Sequence, residues 1–426
     1  MSDEQRQSVL EALDKDLESE LIDFACDVVN IPSPTGEEAD MASYLLGRFD
    51  SLGMKPRLQE VEAQRNNVVG RLKGTGGGQS LLFNGHMDTS TTGTEEELPF
   101  GLEPKARIID GWIHGLGVSN MKSAFPCYYG AIKMIQKAGI EVAGDVIVNG
   151  VVGEIEKAPV SHYQGPTCRG GGCGTTYAAQ HGVLADVAIV GEPTGLRVQP
   201  GNTSYMFAQI STFGLAQHTW SKENGVDAIP KAIKVMDALR AWERDFEAKH
   251  EHPRMGSRLG IGAVEGGYPF KPSICPAPYC NIYVDIRFPP DSSVMEVRNE
   301  IADFLDDLRA SDPELETDLN IYLCRSGYEI SYDDPLVKVV ERGHRDIFNS
   351  DALYPEPYRY AVSADTAILD DFGVRGLTYG PGGITKDGTY SMYDKDGELC
   401  SIQNLLDCTK VYALSLLELC SQPRSR

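Results

Sequence analysis

The chain has 426 residues, 41% of them hydrophobic and 24% charged, and a formal charge of −23. That length points to two or three domains rather than one simple core. The charge withholds the basic footprint a nucleic-acid partner requires, and no apolar run approaches the ~18 residues that cross a bilayer.

The opening Met1-Ser-Asp-Glu-Gln-Arg carries no apolar signal segment. The ten cysteines are scattered, and Cys26, Cys127 and Cys420 fall inside helical apolar patterns. Free buried thiols in a reducing cytoplasm are the expectation. Residues 6–30 place Leu10, Leu13, Leu17, Leu21 and Val28 at helical spacing, and the turn Ile31-Pro-Ser-Pro-Thr-Gly feeds a second helix over 37–53. Asn67-Val-Val-Gly-Arg-Leu and 80–89 read as strands joined by a glycine-rich turn. A polar loop over 90–118 leads to a helix over 119–138. Asp145-Val-Ile-Val-Asn-Gly-Val-Val and Asp186-Val-Ala-Ile-Val-Gly are further buried strands. This alternation predicts an α/β domain, a mostly parallel sheet with helices on both faces. The pattern then shifts to strand 204–215, helix 227–248, strands 259–264 and 281–288, and helix 293–309, an inserted α+β domain. The first domain resumes with helix 335–348, strand Gly376-Leu-Thr-Tyr and helix 402–420. The expected boundaries are 1–203 and 326–426 for the first domain and 204–325 for the insert.

The strand ends carry the chemistry. His86 and Asp88 in Asn84-Gly-His-Met-Asp share one face at the C-terminal end of a strand, where open α/β sheets bind their ligands. A His oriented by an acid is a metal-ligand arrangement. Asn120 opens a helix, Glu154 and Glu156 follow one strand, and Glu192 follows another. Carboxylates converging with an imidazole cost free energy unless they hold a cation. Singly, each has a plainer reading: Asn120 as a helix cap, Glu192 as a turn residue before Pro193.

The order Gly85-His-Met-Asp88, Gly115-Leu-Gly-Val-Ser-Asn-Met-Lys122, Gly153-Glu-Ile-Glu156 and Val190-Gly-Glu-Pro-Thr194 resembles the di-zinc amidohydrolases that include aminoacylase, acetylornithine deacetylase, succinyl-diaminopimelate desuccinylase and glutamate carboxypeptidase. Gly214-Leu-Ala-Gln-His218, Asn281-Ile-Tyr-Val-Asp-Ile-Arg287 and Tyr379-Gly-Pro-Gly-Gly383 extend the likeness. The resemblance implies a catalytic domain with an inserted lid that also makes the homodimer, or a higher homo-oligomer. It implies Glu154 as general base, Asp88 orienting His86, and His218 stabilising negative charge in a partner subunit's site. Asn281, Arg287 and Gly382 are the substrate-binding candidates, Arg287 for a carboxylate. An Arg on a lid strand is as often a structural ion pair.

The departures from the family pattern matter more. Asn120 replaces the bridging Asp, Ile155 stands at the second Glu unless Glu156 shifts into its place, and Asp394 aligns with the late His. All three belong to one metal of the pair. The expectation is therefore one divalent ion per subunit, Mn²⁺ or Zn²⁺, on His86, Asn120 and Glu192, with Glu156 and Asp394 as possible additional ligands. The implied reaction is metal-dependent hydrolysis of a C–N bond in a small anionic, carboxylate-bearing substrate. A ligand-depleted branch of this family replaces the ring amine of 5-nitroanthranilate by hydroxide, giving 5-nitrosalicylate and ammonia, and the chain resembles that branch. Phe125, Tyr128, Tyr177, Tyr205, Tyr390 and Tyr393 are candidates for an aromatic pocket, with core packing as the alternative. The competing readings are a two-zinc N-acyl-amino-acid deacylase or dipeptidase, and a non-catalytic binding protein on the same scaffold.

Overall fold

The computed structural model describes residues 2–95, 101–355, 362–392, 395 and 397–424. The chain divides into two compact units: residues 1–201, 330–355 and 364–426 form the larger, and 202–329 with 356–363 the smaller.

The larger unit opens with helices α1 (Asp3–Glu11), α2 (Lys15–Asn30) and α3 (Ala39–Ser51). The single helix expected over 6–30 is broken because Asp14 accepts from the backbone N–H of Leu17 at 3.0 Å and caps a new helix there. Strands β1 (Arg57–Glu62), β2 (Arg65–Leu72) and β3 (Leu81–His86) follow, then the short pair β4 (Arg107–Ile109) and β5 (Trp112–His114). After α4 (Ala124–Lys137) come β6 (Val146–Val151), α5 (Cys173–Gln180) and β7 (Val187–Val190).

In the smaller unit, β8 (Gly201–Asn202) sits at the boundary and is followed by β9 (Ser204–Phe213), α6 (Ala228–Lys249), β10 (Arg258–Gly266) and β11 (Tyr279–Phe288). Helix α7 (Val294–Ser311), β12 (Thr317–Arg325) and β13 (Tyr328–Glu329) complete it. The larger unit then resumes with α8 (Pro335–Phe348), α9 (Thr366–Asp371), β14 (Arg375–Thr378), β15 (Leu399–Ser401) and α10 (Ile402–Ser421). None of the described helices is long and apolar enough to cross a membrane.

The main sheet has the order β1-β2-β6-β3-β7-β14. Strands β6, β3, β7 and β14 run parallel, and β1 and β2 form an antiparallel edge. Every residue of β3, β6 and β7 is buried, as expected for parallel strands covered on both faces. Phe83 of β3 stacks on Tyr128 of α4 at 4.8 Å, and Tyr128 stacks on Tyr412 of α10 at 5.4 Å. The Tyr128 hydroxyl donates to the Asn84 carbonyl and accepts from Gly191 N–H, both at 2.7 Å, tying the end of β3 to the turn after β7. Phe125, Tyr128 and Tyr205 are therefore core residues, and Tyr177 stacks on His181 at the end of α5. Tyr393 lies outside the described residues.

The smaller unit is an antiparallel sheet, β10-β11-β9-β12. Ala232, Val235 and Leu239 of α6 and Val297, Ile301 and Leu305 of α7 share its apolar core with Ile210, Ile282 and Ile286. The fourth strand, β12, was absent from the sequence reading. Leu319 and Ile321 pack on that core while Asp318 and Asn320 face out, and a register shift between Ile321 and Leu323 then breaks the alternation, as edge strands allow.

Candidate metal centre

Three adjacent parallel strands in the order β6-β3-β7 end together, and each is followed by a site residue. His86 closes β3, opposite Val151 in register, Glu154 follows β6, and Glu192 follows β7. All three are buried, and their ligating atoms lie within 4.8 Å of one another. Asn120 enters from the turn Val118–Lys122, whose backbone departs from helix at Asn120 and Met121. Its Oδ1 is 3.0 Å from His86 Nε2, while Glu154 Oε2 and Glu192 Oε1 are each 3.9 Å from that nitrogen.

The other ring nitrogen fixes the tautomer. His86 Nδ1 lies 2.9 Å from the backbone carbonyl of Asp88, which only accepts. Nδ1 therefore carries the hydrogen, an assignment made from this acceptor, and Nε2 presents a lone pair. That lone pair faces the Asn120 oxygen and two carboxylates, and Glu192 Oε1 is buried without a hydrogen-bond partner. Such a set of acceptors is repulsive unless a cation joins them. The charge shifts agree. Burial, with repulsion from Glu154, Asp365 and Glu156, raises the Glu192 pKa well above the ordinary carboxyl range against the pull of His86. At His86 burial lowers the pKa, but Glu192, Asp88 and the Asn120 carbonyl outweigh it and the net shift is upward. The His86 nitrogen with the Asn120 and Glu192 oxygens, and Glu154 beside them, fits a divalent ion with mixed N/O preference.

Asp88 does a different task from the one expected. Its carboxylate is 3.6 Å from His86 Nδ1, so the ring is held by the Asp88 main chain and not by its side chain. The carboxylate instead accepts from Thr35 Oγ1 at 2.8 Å, Glu154 N–H at 3.0 Å and Ile155 N–H at 3.3 Å, which fixes the loop carrying Glu154. Glu38 supports the same loop, accepting from Gly153 N–H at 3.1 Å while bonded twice to buried Arg65, at 2.6 and 3.0 Å. Gly153 has φ +59°, and a Cβ there would fall 2.6 Å from Arg65 Nη2. Both facts call for a glycine at this position.

Ile155 is buried with its N–H on Asp88, and Glu156 is not part of the three-group cluster. Asp394 lies outside the described residues. Arg287 is bonded through Nε to Asp285 at 2.8 and 3.0 Å and lies over the Tyr205 ring. This is the structural ion pair rather than an open carboxylate receptor. Asn281 Oδ1 accepts from Ser211 Oγ at 2.8 Å. His218 belongs to the smaller unit, where it caps a short 3-10 turn and accepts from Trp220 N–H at 3.4 Å. Gly382 packs against Ser119, with a Cβ at that position 2.3 Å from the Ser119 carbonyl.

Two carboxylates near the site escaped the sequence reading. Buried Glu398 accepts from the N–H groups of Ser119 and Asn120, each at 3.1 Å, and so holds the backbone of the Asn120 turn. Burial pushes its pKa up to about 7, against those N–H groups and Lys122. Lys122, itself lowered to about 7 by burial, donates to the carbonyls of Val28 and Ile31 at the end of α2. Asp365, at the start of α9, accepts from Thr175 and from Asn84 beneath the metal cluster. Neither residue has a local motif, because the partners are backbone groups or residues far away in sequence.

A parallel sheet that delivers an imidazole and two carboxylates to one buried point, with a fourth oxygen from a pinned turn, defines a metal-dependent hydrolase. The chain belongs to peptidase family M20/M25/M40, whose family model matches residues 82–418. It is 25% identical over 437 aligned residues to an N-formyl-4-amino-5-aminomethyl-2-methylpyrimidine deformylase of Bacillus subtilis, covering 96% of each chain. To an acetylornithine deacetylase of Vibrio campbellii it is 26% identical, covering 73% of this chain and 77% of that one. The fold matches a di-peptidase of Saccharomyces cerevisiae at a TM-score of 0.77 and 14% identity, covering 98% of this chain and 99% of that one. It also matches human carnosine dipeptidase 1 at 0.74 and 13%, covering 97% and 98%.

Proposed function

We propose that this chain is a one-metal C–N hydrolase for a small carboxylate-bearing substrate, with hydrolytic replacement of a ring amine, as in 5-nitroanthranilate, as the leading reaction. The observation that carries this reading is the reduced donor set: Asn120 offers a neutral oxygen where a bridging carboxylate would offset two dications, and buried Ile155 offers none. An electron-poor aromatic ring disperses the charge of the attacked carbon into its substituents and asks less of a second Lewis acid. His86, Asn120 and Glu192 would hold the ion, Mn²⁺ or Zn²⁺, which supplies Lewis acidity when bound.

The remaining work falls to the chain itself. Glu154, beside the cluster and held through its backbone by Asp88, takes a proton from the attacking water and returns it to the leaving nitrogen. Asp88 is thus a positioning residue acting on both His86, through its carbonyl, and Glu154, through its carboxylate. His218 is proposed to stabilise developing negative charge in the site of a second copy.

A second reading is favoured by the names of the relatives, a deformylase and a deacetylase: removal of a formyl or acetyl group from nitrogen, with two metals. One screen separates them. Protein loaded with Mn²⁺ or Zn²⁺ is given nitro-substituted anthranilates, N-formyl and N-acetyl amino compounds and dipeptides, with ammonia, formate, acetate and amino-acid release as readouts and bound metal counted. Ammonia from the anthranilates with one metal per subunit is the expected result. Deacylation with two tightly held metals overturns it.

A further inference from the structure

Arg197 stands five residues after Glu192 and is half-buried. Its guanidinium carbon lies 4.9 Å from the centre of the Tyr390 ring. The chain has 62 Asp and Glu against 39 Lys and Arg, so a cation in it rarely wants for a carboxylate, yet no described residue takes a hydrogen bond or ion pair from this guanidinium.

The group is nevertheless held in place. Gly195 N–H donates to the Gly382 carbonyl at 2.6 Å and Leu196 N–H to the Gly380 carbonyl at 3.0 Å, which binds the Arg197 loop to the glycine turn. The Tyr390 hydroxyl donates to the carbonyl of Pro193, the residue after Glu192, at 3.3 Å. Gly195 has φ +59°, and a Cβ on it would stand 2.8 Å from Arg197 Nη1. A side chain at that position would push the guanidinium off the loop. Stacking on a ring face fixes the plane of a guanidinium without using its N–H donors. What results is a fork of donors that no described residue uses, packed over a ring on the loop that continues from the metal cluster, the form that matches a carboxylate in bidentate fashion.

We propose that Arg197, stacked on Tyr390, is the specificity-determining residue that takes the substrate's carboxylate. This rests on the reading of His86, Glu154 and Glu192 as the centre of a C–N hydrolase. It moves carboxylate recognition from Arg287, already paired with Asp285, to the larger unit itself.

The test pairs binding with turnover. Metal-loaded wild type and Arg197→Gln are titrated calorimetrically with benzoate and with benzamide, its neutral isostere. The expected result is a loss of roughly tenfold or more in benzoate affinity with benzamide unchanged. Any affinity benzoate gains from the metal is common to both proteins, so the difference reads Arg197 alone. Arg197→Lys, which keeps the charge but not the planar fork, should recover part of the loss, and an unchanged metal affinity in both variants shows that the loop still folds. Equal loss for both ligands, no loss, or no benzoate binding by the wild type overturns the proposal. With the substrate found in the hydrolysis screen, Arg197→Gln should raise KM far more than it lowers kcat. If no compound is hydrolysed but benzoate binding still depends on Arg197, the carboxylate subsite stands and the proposed reaction falls. If hydrolysis is found with KM unchanged in Arg197→Gln, the reaction stands and the subsite falls.

Discussion

Around His86 Nε2 the side chains differ in what they give to a cation, and substitutions should separate them. Glu154→Gln keeps the shape and removes the proposed base; kcat is expected to drop about 10²- to 10⁴-fold while bound metal stays constant, measured by steady-state kinetics beside metal titration. A variant that loses its metal instead would make Glu154 a ligand. Asn120→Asp supplies the missing carboxylate and should tighten metal binding by roughly tenfold or more. Glu398→Ala should weaken it by about 10- to 100-fold, the usual size for outer partners of a metal ligand, because the N–H groups of Ser119 and Asn120 lose their shared acceptor. Glu398→Gln keeps an acceptor oxygen and should recover most of the affinity. His86, Glu154 and Glu192 were legible in sequence because each ends a buried apolar run. Glu398 was not: it is defined by N–H groups nearly 280 positions away, a pairing with no local pattern.

The elements behind the site are tied together by polar groups whose neighbours the pattern of strands and helices does not reveal. Glu38 precedes α3 and Arg65 opens β2, 27 positions apart, yet they form a bidentate buried pair that also reaches the loop after β6. Glu38→Ala takes the bidentate partner from a buried guanidinium and leaves it Glu62 and the Arg169 carbonyl on Nη1, so about 1.5–3 kcal/mol of stability should be lost in denaturant unfolding, with activity falling as the Glu154 loop loosens. Helix α8 and the end of β14 meet through His344, whose Nδ1 is 2.8 Å from the Tyr379 hydroxyl and whose ring lies 4.3 Å from Phe348. Burial lowers the His344 pKa from 6.5 to about 4. The unfolded chain therefore binds the proton first as pH falls. The neutral ring's contribution is complete above pH 6.5 and is lost as pH drops through about 4. After discounting for residual solvent access it amounts to on the order of 2 kcal/mol. His344→Gln should flatten the stability difference between pH 7 and pH 4 by that amount, read from urea unfolding at each pH. An unchanged slope would refute the assignment. The alternating apolar runs made the sheet and most helices readable. The break at Asp14, the turn at Asn120 and the strand β12 were missed because a single cap, a non-helical turn and a half-exposed edge each carry little periodic signal.

At the scale of the whole molecule, the smaller unit leaves apolar groups in water that its own core does not need. Ile229 and Ile233, one helical turn apart on α6, are exposed, as is Val264 on β10, while Trp220 and Phe270 are 90% and 84% exposed. Strand β10 is an edge of its sheet, and an exposed edge strand beside an apolar strip is a surface that aggregates unless it is covered. We propose a second copy of the chain as the cover, since a two-fold axis sets edge against edge and strip against strip and uses one surface twice. Sedimentation velocity at micromolar concentration should then give a dimer. Ile233→Glu combined with Val264→Glu should give monomers, because the interface would bury like charges without a partner. Both positions are solvent-exposed in the single chain, so its unfolding free energy should move by no more than about 0.5 kcal/mol per substitution. If His218 serves the partner's site, the monomeric variant should lose turnover while keeping its metal and its benzoate affinity. A monomeric wild type, or a double variant that still dimerises, would leave the exposed strip of the smaller unit without this explanation.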